Sequence, residues 1–134
     1  MLSKRNTLLA SLLGIVAFFV FAFSRELGLC SSDSYSECAL TLEGLAETLL
    51  PVFPVMIFSL VTYLLRMDVY TTWFKFVRWA IPLSLVLILI APQYDSDWMF
   101  PMDKGTVAFA ASAIFSVVSL VIILLKYFST QNKV

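Results

Sequence analysis

Histidine is absent from this chain, cysteine occurs twice and glycine four times. Without an imidazole there is no histidine metal site, no histidine haem ligand and no serine–histidine hydrolase. The long apolar runs carry no Asp, Glu, Lys or Arg near their centres, so the buried ionisable groups of a proton relay are missing as well. Neither Asn6 nor Asn132 opens an Asn-x-Ser/Thr sequon, so nothing marks a glycosylated secretory-pathway protein, and the cytoplasmic membrane of a prokaryote is the expected location. Gly/Ser linkers, low-complexity segments and a soluble domain are also lacking, which leaves a single integral domain over residues 1–134.

What the chain does have is length of apolar sequence. Its hydrophobic fraction is 60% and its mean hydropathy +0.92, against roughly 45–50% apolar residues in soluble domains. The excess is gathered into four runs, at 8–23, 45–65, 74–91 and 107–125. A hydrocarbon core about 30 Å thick takes about 20 such residues per helix, and each run fits. The expected fold is an all-α membrane protein, an antiparallel four-helix transmembrane bundle with spans near 7–24, 45–65, 73–91 and 106–126.

Nine basic and nine acidic residues cancel in number but not in position. Lys4, Arg5, Arg66, Lys75, Arg78, Lys126 and Lys133 fall before span one, between spans two and three, or after span four. Only Arg25 and Lys104 fall in the other two connections. Those connections hold Glu26, Asp33, Glu37, Glu43, Glu47, Asp95, Asp97 and Asp103. Short basic loops stay cytoplasmic, so both termini are expected inside. Tyr63, Tyr70, Trp73, Trp79 and Tyr127 would form an inner aromatic belt, with Tyr94 and Trp98 at the outer border. Glu43 and Glu47 suit the positive N-terminal end of span two, and Arg66 its negative end. Lys75 and Arg78 have the wrong sign for the start of span three, and read as anchors whose stems snorkel to lipid phosphates.

The N-terminus admits a second reading. Lys4-Arg5, an apolar stretch and Ala22-Phe23-Ser24 have the outline of a secretory signal, but the stretch is long and rich in Phe, which favours an uncleaved anchor. Cys30 and Cys38 lie in the first outer loop, on the oxidising side, and are expected to form a structural disulfide. A redox-active pair is the alternative. The quinone-linked disulfide oxidases of bacteria, however, carry a closely spaced pair in one loop and a second pair in another, and this chain has neither.

The remaining candidates are weaker. Asp95 and Asp97 lack the bidentate Glu and turn glycine of a calcium loop, so no metal is expected. Asp103 reads as the N-cap of span four. Glu43 and Glu47, at i,i+4, would make an acidic mouth for a cation. Gly105, Ala108, Ser112, Ser116 and Ser119 share one arc of span four, and Ala10 and Gly14 recur on span one. Small residues at such spacing let helix backbones approach where lipid supplies no hydrophobic drive. Pro51 and Pro54 in span two, and Pro82 in span three, interrupt the hydrogen-bond ladder; they are expected to be static packing kinks, with a hinge as the alternative.

These readings point to a non-enzymatic multi-pass protein, a structural or accessory component of a membrane assembly, with no cofactor and no nucleic-acid partner. Its partners are the lipid bilayer and either a second copy or a larger membrane protein. A small oligomeric channel or transporter is the alternative, and a membrane thiol oxidoreductase a distant third.

Overall fold

The computed structural model describes residues 3–30, 37–92 and 102–131. They form five α-helices: α1 (Lys4–Ala22), α2 (Glu37–Thr48), α3 (Val52–Leu64), α4 (Met67–Ile90) and α5 (Lys104–Gln131). Among the described residues there is no strand. Four helical stretches are long and apolar enough to cross a membrane: α1, α2 with α3 as one interrupted unit, α4 and α5. Tyr94, Asp95, Asp97 and Trp98 lie outside the described residues.

The local causes are legible. After α1 the chain makes one more turn and stops at Gly28, whose φ of 70° is open to a residue without Cβ. There Leu29 N–H reaches Ser24 O at 2.9 Å and Gly28 N–H reaches Arg25 O at 3.0 Å, the paired bonds of a Schellman stop. The interruption between α2 and α3 has a different origin. Pro51 and Pro54 cannot donate to the carbonyls of Glu47 and Leu50, four residues back. The N–H groups of Leu50 and Phe53 bond those carbonyls instead, each at 3.2 Å, so the break leaves neither bare. Pro54 then stands in the first turn of α3, where its missing N–H has no helical partner to lose. Pro82 lies inside α4 and is exposed.

Two helix starts differ from the sequence expectation. The second span is already helical at Glu37, well before residue 45: Ala39, Gly44 and Ala46 pack inward, and the Thr41 hydroxyl donates back to Glu37 O at 2.7 Å. Glu47 consequently sits near the C-terminal end of α2, so the dipole argument made for it fails. The third span begins at Met67, after Arg66 as N-cap, with Asp68 in the first turn. Asp68 has the right sign for that end, while Lys75 and Arg78 stand two and three turns further in.

α4 packs mainly on α5, and α1 on α2 and α3. The second span bridges them through contacts of α2 and α3 with both α5 and α4. The largest hydrophobic cluster is built from Val55, Val69, Tyr70, Trp73, Val77, Phe115 and Ile123. Tyr70 and Trp73 are therefore core residues, not members of an interfacial belt. Trp79, 80% exposed, points outward. The polar atoms of Tyr70 and Trp73 find partners inside, and this lets the rings go in.

Candidate functional site

Trp73 is fully buried and its indole N–H donates to Ser119 Oγ at 3.2 Å. This bond ties α4 to α5 at the level where Phe76 stacks on Phe115, ring centroids 5.4 Å apart. Ala108 and Ser119 are fully buried, and Ser112 and Ser116 half-buried. Ile114, Leu120 and Leu124 are exposed on other sides of α5. Ser112 and Ser116 donate to Ala108 O and Ser112 O at 2.8 and 2.7 Å, so both hydroxyls are spent on their own helix. Ser119 is the serine of this arc that reaches across to another helix.

On α1 the interior face runs through Thr7, Ser11 and Gly14, while Ala10 is exposed. A Cβ added at Gly14 would come within 2.8 Å of Val52 Cγ1, a branched side chain with little freedom to yield. Next along, Phe18 meets Phe53 edge-on at 4.9 Å. At the other end of the helix, the Lys4 ammonium donates to the carbonyls of Tyr63 and Leu65 and lies 5.7 Å from the Tyr70 ring centre. Thr7 shares a 2.7 Å hydrogen bond with the Tyr70 hydroxyl. Sequence reading found Gly14 but neither Thr7 nor Lys4. The spacing Thr7, Ser11, Gly14, Phe18 was the available signal.

The acids of the expected mouth are distributed among cations. Glu43 pairs with Arg25 at 2.7 Å, both side chains about a third or more exposed. Such a pair contributes at most about 1 kcal/mol. The charged neighbours of Glu47 are Asp103, Lys104 and Glu43. Its carboxylate would lie 3.5 Å from a Cβ at Gly105, so it stands beside the N-terminus of α5. That is ordinary contact distance, and Gly105 is not a site of forced close approach. Asp103 caps α5 by accepting Thr106 N–H at 3.2 Å. The Thr106 side chain and backbone bonds hold this exposed carboxyl below the usual range. Among the described residues no three His, Cys, Asp or Glu side chains gather as a metal site.

Cys30 and Cys38 stand at disulfide distance, Cα atoms 5.8 Å apart, and link the segment after α1 to the first turn of α2. Pro51 and Pro54 are buried at the α2–α3 break. The buried hydroxyls of Ser24 and Ser59 have no hydrogen-bond partner among the described residues. Among the described residues, these polar and aromatic contacts join one helix to another. The chain matches no protein-family model, no curated protein and no solved structure.

Proposed function

We propose that this chain is an antiparallel four-helix membrane protein with both termini in the cytoplasm, acting without catalysis as a structural or accessory part of a larger membrane assembly. The observation that carries the membrane reading is an inverted distribution of side chains. Thr7, Ser11, Ser59, Thr62, Ser84 and Ser119 are buried, whereas Leu64, Trp79, Ile90, Phe109 and Leu13 are 70–82% exposed. In water that pattern exposes an apolar surface far beyond the few hundred Å² tolerated by a monomer. In lipid it is the ordinary solution, with hydroxyls between helices and alkyl groups facing acyl chains.

Helix direction is supported by pairs of contacts. Lys4 meets the end of α3 and Gly14 its start, and Trp73 meets Ser119 while Phe76 meets Phe115. The seven-to-two basic bias supports the inside position of the termini. The accessory role rests on where the polar groups go: the Trp73–Ser119, Thr7–Tyr70 and Arg25–Glu43 pairs each hold one segment to another. The cytoplasmic membrane of a prokaryote is the location proposed.

Purification from native membranes in mild detergent tests this role. A membrane-protein partner should co-purify in fixed proportion. A chain that purifies alone and passes ions when reconstituted in liposomes would replace the accessory role with the channel. A single cysteine at Ser129, in a chain lacking Cys30 and Cys38, should label only from the cytoplasm.

A further inference from the structure

Between Asn6 near the start of α1 and the middle of α4, from Thr71 to Pro82, lies an open groove of about 930 Å³, at the upper end of the ~300–1,000 Å³ that holds a small organic ligand. Its lining is divided. Asn6, Lys75 and Arg78 are polar, and Phe74, Ile81 and Pro82 are apolar. We propose that this groove binds one anionic phospholipid, its phosphate between Lys75 and Arg78 and an acyl chain along Phe74 and Ile81. The assignment rests on the membrane reading above and adds a specific ligand to it.

Three observations converge on that occupant. Lys75 and Arg78 are at i,i+3 on one helix face, where two like charges repel unless an anion lies between them. Among the described residues neither meets a carboxylate: the ion pair there is Arg25–Glu43. The nearest acid along the helix, Asp68, is two turns before Lys75. The cations also stand well inside the helix. Lys75 is eight residues and Arg78 eleven residues past Met67, about 12 and 16 Å along the axis. At that depth they are flanked by apolar side chains, and a phosphate drawn into the groove supplies the missing charge. The guanidinium presents a planar fork suited to two phosphate oxygens, the ammonium a point charge, and the Asn6 amide a further donor. The ligand must therefore be anionic at one end and apolar along its length, which describes a phospholipid and excludes a free phosphate as a full occupant.

The test is native mass spectrometry of the full chain in nonionic detergent, titrated with dioleoyl phosphatidylglycerol or dioleoyl phosphatidylcholine. One phosphatidylglycerol should be retained per chain, and phosphatidylcholine about fivefold less tightly or worse, for loss of one net charge. Lys75→Gln or Arg78→Gln should weaken phosphatidylglycerol binding about fivefold and the double variant about thirtyfold, taking each near-surface cation at its usual worth. Arg66→Gln, a cation outside the groove, should leave it unchanged. Equal retention of the two wild-type lipids would overturn the assignment without recourse to any variant. So would a double variant that binds like wild type, or an Arg66→Gln variant that loses as much as Lys75→Gln, which would mean diffuse attraction. Alkaline extraction of cell membranes separates the two readings. A chain stripped from the membrane defeats the membrane reading, whereas one that stays but holds no anionic lipid defeats the groove alone.

Discussion

α1 and α4 are both long apolar helices, yet they join the molecule by different means. α1 buries only Thr7 and Ser11, and it is fastened by the Lys4 contacts, the Thr7–Tyr70 bond and the close approach of Gly14 to Val52. α4 buries Val69, Tyr70, Trp73, Val77, Ser84 and Ile88 and presses aromatic rings against α5. In the bilayer proposed for this chain, lipid is as apolar as leucine, so burying a leucine between helices gains nothing over leaving it in acyl chains. Attachment must come from shape and from polar pairs. α1 uses a narrow strip of small and polar atoms, and α4 a broad, densely packed ring surface whose many dispersion contacts add up.

Removing the largest ring should separate the two cases most clearly. Trp73→Ala deletes a fully buried indole and leaves Ser119 without its donor. By analogy with soluble cores it should cost about 3 kcal/mol, read as a lower melting temperature in detergent. A loss no greater than that of Thr7→Ala, about 0.6 kcal/mol for a membrane side-chain bond, would erase the contrast.

The covalent tie of the first hairpin comes next. Replacing Cys30 and Cys38 by Ser should lose about 2–3 kcal/mol through the freed loop while the Trp73 environment, followed by fluorescence, stays as it was. A well-folded double variant that nonetheless lost its cellular role would bring the redox reading forward.

Overfilling the narrow strip should come third. Gly14→Leu forces α1 away from Val52 and should cost about 1–3 kcal/mol. Gly14→Ala balances a tight contact against a helix-propensity gain of about 1 kcal/mol and should be near neutral. If Gly14→Leu were also neutral, the close approach to Val52 would not be what holds α1. Cysteine cross-linking between positions 14 and 52 checks this directly.

The smallest effect concerns the cap of α5. Because the folded Asp103 carboxyl titrates below its unfolded value of about 3.9, its contribution is complete above that value. It is lost as pH falls through the lower folded value. Asp103→Asn keeps a capping oxygen and should flatten the acid side of the melting-temperature profile, with little change at neutral pH. An unchanged acid limb would assign that limb to other carboxylates.

The four apolar stretches were legible because transmembrane length is written directly in hydropathy. Their ends were not. Glu37 to Gly44 reads as loop by polarity, yet it is helical with Ala39 and Gly44 packed inward. The residues from Met67 to Tyr70 likewise join α4 although the apolar run starts later. The small-residue arc of α5 was found at Ala108 and Ser119, since small side chains reveal an interface by size alone. Trp73 and Tyr70 were misplaced as border aromatics. Spacing marks Ser119 and Thr7 as interface positions but gives no sign of which ring each one meets, because both pairings join segments distant along the chain.

The distribution of contacts along the chain bears on how the protein is made. Lys4 with Tyr63 and Leu65, Gly14 with Val52, Phe18 with Phe53 and Cys30 with Cys38 all fall within residues 3–65. Trp73 with Ser119 and Phe76 with Phe115 fall after residue 66. Each hairpin thus carries fastenings of its own, and the Thr7–Tyr70 bond, with Lys4 beside the Tyr70 ring, adds one between them. Contacts that close within a hairpin form quickly and need no distant partner. The two-residue joint at Leu65–Arg66 keeps the halves near each other and is itself bonded, the Leu65 carbonyl to Lys4 and Arg66 as the N-cap of α4. Co-expressed as separate polypeptides divided at that joint, the halves should assemble and co-purify, and failure to do so would mean that the joint itself sets the docking geometry.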